Sequence, residues 1–145
     1  MITLKQSDKE KIISHAERCL PEEACGLIGG DTDANGNKTI KAVYPLTNVD
    51  HSREHFSMDP REQLAAIRDM RQCGIAPLGN YHSHPETPSR PSEEDKRLAY
   101  DSTASYLILS LAGKTPVLKA FRIAQKAAAE EELIITEDES PCRKK

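Results

Sequence analysis

Apolar residues return at Ile12, Ile13, Ala16 and Leu20, close to the helical period, which predicts a first helix capped by Ser7 and stopped by Pro21. The next apolar run, Ala24-Cys25-Gly26-Leu27-Ile28-Gly29-Gly30, is continuous rather than periodic and ends in glycines. That pattern fits a buried strand closely approached by another backbone. Asp31 to Asn37 has turn chemistry and Thr39 to Tyr44 alternates in part, so the two runs predict a hairpin. No period is visible from Asn48 to Ser57. Asp59-Pro60 then reads as a cap with proline at the first helical position, Leu64, Ile67 and Met70 mark one helical side, and Gly74 marks the end.

In the second half, Pro77 to Tyr81 reads as a strand running into His82-Ser83-His84-Pro85, followed by a loop stiffened by Pro85, Pro88 and Pro91. Ser92 offers an N-cap, with Glu93, Glu94 and Asp95 in the first turn where the helix dipole favours negative charge, and Leu98 and Ala99 continue the helix. Ser105 to Leu111 reads as a buried strand, Val117 to Ile123 as its half-exposed neighbour across Gly113-Lys114, and Leu133-Ile134-Ile135 as an edge strand. Glu137 to Lys145 is polar and expected to be disordered. Helices alternating with strands and a hairpin predict an α/β fold, a mixed sheet with helices on its faces.

The 145 residues suit one domain, taken as residues 1–136, large enough to fold without a disulfide or metal staple. With 20 basic and 23 acidic residues and no long single-sign run before Arg143-Lys144-Lys145, nucleic acid is not an expected partner. No stretch resembles a signal peptide or is long enough to span a bilayer, and Cys19, Cys25, Cys73 and Cys142 form no C-x-x-C pair. Buried free thiols and a cytoplasmic location are therefore expected.

On a strand, His82 and His84 point to the same face and Ser83 to the other. One ion could bridge the two imidazoles, and Asp95 could join them if the loop folds the start of the next helix over the strand end. Two nitrogens and one oxygen match a catalytic zinc site that keeps its fourth position open. The bland alternative makes His82 and His84 strand-end residues and Asp95 the third helical residue of a capping box begun by Ser92. Glu22 and Glu23 flank the first apolar strand, either of them a solvated carboxylate or a functional one. His51 and His55 are four apart in a stretch without helical period, which argues against a second metal site. With Asn48 and Phe56 they are candidates to border a groove. His15 reads as helix surface.

Glu23, His82-Ser83-His84-Pro85 and Ser92-x-x-Asp95 together resemble the signature of the JAMM/MPN metallopeptidases, also called the JAB family. Pro21 to Leu27 resembles that family's first strand and Phe56 to Pro60 the segment before its second helix, so the likeness covers about Met1 to Thr136. It implies a cytidine-deaminase-like α/β/α fold and one zinc ion per chain held by His82, His84 and Asp95. Glu23 would be the general base for the attacking water and Ser92 the oxyanion stabiliser. The family pattern selects Glu23 over Glu22, because the base stands directly before a small residue, cysteine and glycine.

The shortness of the chain resembles the compact prokaryotic branch, associated with ubiquitin-like β-grasp sulfur-carrier proteins. The implied reaction is hydrolysis after the carrier's C-terminal Gly-Gly, releasing an amino acid, a short extension or an isopeptide-linked protein. A Gly-Gly tail has no side chains to obstruct a narrow groove. A homodimer is compatible with that branch. Two other readings are a non-catalytic MPN scaffold, against which the intact ligand set argues, and a RadC-like JAMM domain, against which the acidic balance argues.

Overall fold

The computed structural model describes residues 1–138. Its elements run β1 (Ile2–Lys5), α1 (Gln6–Cys19), β2 (Cys25–Thr32), β3 (Lys38–Leu46), α2 (Pro60–Gln72), β4 (Ala76–His84), α3 (Glu93–Arg97), β5 (Ser105–Ser110), β6 (Val117–Ala124), β7 (Ala127–Glu131) and β8 (Leu133–Thr136). The strands form one mixed sheet in the order β7-β6-β5-β4-β2-β3-β1-β8. Its two end strands, β7 and β8, are separated in sequence by Glu132 alone. The sheet must therefore curl until its edges meet, where Ile2 N donates to Glu132 O.

Alternation along β4 sorts the two faces. Tyr81 points to α1, where its hydroxyl lies 2.7 Å from His15 Nδ1, within an apolar core containing Ile12, Ile28, Leu107 and Leu109. On the other face, Tyr44, paired in register with Leu27 and hence with Asn80, donates to Asp69 of α2. The helices thus cover opposite faces, as the sequence predicts. Gly30 shows the expected backbone approach, since a Cβ there would stand 1.9 Å from Thr39 O. Gly79, with φ +152°, is similarly tight against Ser105 of β5.

The β2–β3 hairpin, the Asp59 cap of α2 and the edge strand β8 follow the sequence expectations. Several details differ. The first helix begins at Gln6 after an unforeseen strand β1, and Ser7 is not its cap; Ser7 N instead donates to Asp138 at 2.9 Å. Asp138 belongs to the stretch expected to be disordered, whose residues 139–145 lie outside the described residues. The buried side of α2 is Ala66 and Met70, while Leu64 is half exposed. The third helix stops at Arg97, so Leu98 and Ala99 do not continue it. His15 is buried rather than on the surface. Cys25 is buried as expected, Cys19 only partly, and Cys73 is exposed; Cys142 lies outside the described residues. None of the helices among the described residues is long and apolar enough to cross a membrane.

Candidate metal centre

The C-terminal end of β4 sits between β2 and β5, so His82 and His84 are carried on a central strand and are both buried. Their Nε2 atoms lie 3.1 Å apart. The loop after β4 is tied back at several points: Ser89 Oγ donates to Ile108 O and Ser110 Oγ to Thr87 O. This brings α3 over the strand end, where Asp95 Oδ2 stands 3.2 Å from His82 Nε2 and 3.3 Å from His84 Nε2. The capping-box reading of Asp95 is also correct. Its Oδ2 accepts from Ser92 N, and its own N–H donates to Ser92 Oγ. The cap fixes the carboxylate in the orientation that completes the triangle.

His84 Nδ1 lies 3.0 Å from Pro88 O. A carbonyl only accepts, so Nδ1 carries the proton and Nε2 presents a lone pair. His84 Nε2, Asp95 Oδ2 and, in its Nδ1–H tautomer, His82 Nε2 direct lone pairs at one point, an arrangement that repels unless protons or a cation lie between them. A tetrahedral ion with bonds of about 2.0–2.1 Å places its ligands about 3.3 Å apart, the spacing found here. The donor set therefore fits a divalent metal. Among the described residues this is the one group of three or more His, Cys, Asp or Glu with that convergence. With no ion between them and a proton on the imidazole Nε2 atoms, burial works against ionisation of Asp95, but hydrogen bonds from His82 and His84 outweigh it and hold the carboxyl below its usual range. Burial also works against the charged form of His84, and contacts with Asp95 and Pro88 O outweigh it in the upward direction.

Glu23 reaches this cluster through strand register, which spacing in the sequence could not reveal. Cys25 is paired with His82, and one step on Ser83 N donates to Ala24 O while Ala24 N donates to Ser83 Oγ. A further step sets Glu23 opposite His84 on the same face. Its residue is 4% exposed, and its Oε1 is buried without a hydrogen-bond partner among the described residues. Burial pushes its pKa up to about 8, with His84 pulling down and Asp95 and Glu94 adding to the rise. Glu22 faces away and lies 3.2 Å from His51.

The loop between β3 and α2 closes one side of the site. Phe56 stacks on His82 with ring centroids 4.7 Å apart, and together they line a cavity of about 470 Å³ with Met58, Leu98, Tyr100 and Tyr106. His55 also borders it, whereas His51 does not. Asn48 is not a groove residue: it is buried, with Nδ2 donating to Glu23 O and His55 O and Oδ1 accepting from Asp50 N and Ser57 N. It ties the loop to the Glu23 backbone. Ser83 and Asn48 are thus supporting residues for Glu23, and only the long-range pairing exposes that role.

A family model described as prokaryotic homologs of the JAB domain matches residues 5–124. The chain belongs to this prokaryotic JAB family. Membership bears out the JAB/MPN fold and the JAMM-type peptidase class that the motif resembles. This JAB chain is 33% identical over 129 residues to the CysO-cysteine peptidase of Mycobacterium tuberculosis, an alignment covering 87% of this chain and 85% of that protein. It is also 33% identical over 118 residues to the desampylase of Haloferax volcanii, covering 78% and 83%. The solution structure of a Desulfitobacterium hafniense protein, 55% identical, superposes with a TM-score of 0.88 over 95% of this chain and 94% of that one.

Proposed function

We propose that this JAB protein is a zinc-dependent peptidase that hydrolyses ubiquitin-like or sulfur-carrier proteins after a C-terminal Gly-Gly, acting in the cytoplasm. The observation that carries the reading is the triangle of His82, His84 and Asp95 with the buried Glu23 beside it, whose Oε1 has no hydrogen-bond partner among the described residues. The similar proteins are a peptidase of a cysteine-bearing carrier and a desampylase, which supports carrier conjugates as substrates.

In this reading His82, His84 and Asp95 would hold the ion. What zinc supplies is Lewis acidity, polarising a carbonyl oxygen and lowering the pKa of water. Glu23 accepts a proton from the attacking water and returns it to the leaving amine. Glu23, whose pKa burial raises, would be held in its basic form by a neighbouring cation. Ser92 Oγ already accepts from Asp95 N, so its hydroxyl proton is free to be donated to the developing oxyanion.

The test is Glu23→Gln, assayed on a β-grasp carrier bearing an extension beyond its Gly-Gly. We expect hydrolysis to fall at least about 10³-fold while zinc content stays near one per chain, because the general base is lost and the ligands are kept. Full activity in Glu23→Gln, or undiminished activity in zinc-free protein, sinks the reading.

A further inference from the structure

The site lies between two unequal cavities. The larger, on the His82 side, is the aromatic one described above. The smaller, about 230 Å³, lies on the other side and is lined by His84, Thr87, Pro88, Arg90, Pro91 and Ser92. It is a hollow partly open to solvent, with room for a single amino-acid residue.

Its one charged side chain besides the proposed ligand is Arg90. Among the described residues this guanidinium makes neither an ion pair nor a side-chain hydrogen bond, whereas Lys96 pairs with Glu93 and Arg97 with Glu94. Its backbone is held in place: Arg90 N donates to Pro88 O, the preceding Ser89 Oγ is buried against Ile108 O, and Pro91 follows. A positive fork on a fixed loop, bordering a cavity of one-residue size, suits a carboxylate that it can grip through two parallel hydrogen bonds.

We propose that Arg90 binds the free α-carboxylate of a single residue attached beyond the carrier's scissile bond, so that the small cavity is the subsite for the leaving amino acid. This rests on the peptidase reading above and sharpens it: the preferred reaction releases a C-terminal amino acid rather than an isopeptide-linked protein. Water adds to the glycine carbonyl, the C–N bond breaks, and Glu23 delivers the proton to the departing amine. The amino acid leaves with its carboxylate still facing Arg90. A protein joined through a lysine side chain has no carboxylate at that position.

The test uses zinc-loaded enzyme and a β-grasp carrier extended past Gly-Gly by one alanine, prepared as the free acid and as the C-terminal amide. We expect the wild type to favour the acid about tenfold in kcat/KM, through KM, the size expected for a partly exposed charge-assisted pair. Arg90→Gln should collapse that ratio towards one, and Arg90→Lys should restore part of it. As a readout apart from catalysis, free alanine should shift the amide NMR signals of Arg90 and Ser92, and alaninamide should not. Equal cleavage of acid and amide by the wild type overturns the inference, as does an Arg90→Gln variant that slows both alike. The latter would assign Arg90 to the loop, to the carrier surface, or to Glu130, with which it lines a neighbouring cavity. Cleavage of isopeptide-linked carrier but of neither alanine form overturns this inference alone, and cleavage of no carrier conjugate overturns the peptidase reading with it.

Discussion

Lys38 and the His82–His84–Asp95 triangle are buried polar clusters towards opposite ends of β4, and they close in different ways. Lys38, 6% exposed, points its ammonium at three acceptors: Leu78 O at 3.3 Å, Thr103 O at 2.5 Å and Ser105 Oγ at 2.8 Å. Ser105 Oγ passes the chain of donors on to Glu131. Three acceptors surround a cation that the protein supplies itself. At the other end, the ligand atoms of His82, His84 and Asp95 converge, and among the described residues no lysine or arginine pairs with them. A buried charge is tolerated where hydrogen bonds and counter-charges complete it. The self-completed cluster holds β3, β4 and β5 together; the other has the donor set and spacing proposed above to take an added ion. Burial alone does not distinguish structure from function, whereas the sign of what is lacking does.

The contrast can be broken most forcefully at Asp95. Asp95→Asn keeps an acceptor for the Ser92 N–H, so α3 should stay capped. The loss of a negative ligand should reduce hydrolysis by at least about 10³-fold. Retained activity in carrier cleavage would deny the carboxylate its place among the ligands. At the opposite cluster, Lys38→Met should cost roughly 2–3 kcal/mol in urea unfolding, because Leu78 O and Ser105 Oγ lose their donor in a buried place. Zinc content and turnover should be unaffected, and a loss of metal instead would show that the clusters are not independent.

A smaller effect is expected on the α1 face of the same strand. Tyr81→Phe removes the hydroxyl beside His15 Nδ1 and should destabilise by about 1 kcal/mol, measured by thermal unfolding. The smallest concerns pH. Burial lowers the His15 pKa below its ordinary value, with Arg18 adding to the effect. The unfolded chain then takes up the proton first as pH falls, so stability declines through the region just below pH 6.5 and levels off below the folded-state pKa. His15→Gln should flatten that decline; an unchanged pH dependence of unfolding would remove His15 as its source.

The triangle was legible in the sequence because its three members are local: His82 and His84 share a face by strand alternation, and Asp95 is fixed by a capping box that Ser92 announces. Glu23 was legible only by resemblance. Its place depends on the pairing of Cys25 with His82, a contact between distant segments that no spacing encodes. The same holds for Asn48, whose amide joins two loops. Strand β1 escaped notice because it is short and passes into α1 without a turn. Strand β7 consists of alanines and glutamates, residues depleted in strands, and is held by β6 across a turn with positive φ at Gln125 and Lys126. The burial of His15 depends on Tyr81, a partner on a distant strand.

The central claim is that three converging acceptors at the end of β4 hold a metal ion. Elemental analysis of protein purified without added metal, wild type beside His84→Ala, tests it most directly. We expect about one zinc per wild-type chain and a marked loss in the variant with its fold retained by circular dichroism. Equal zinc content in the two proteins, or a folded wild type that takes up no metal when zinc is supplied, would contradict it.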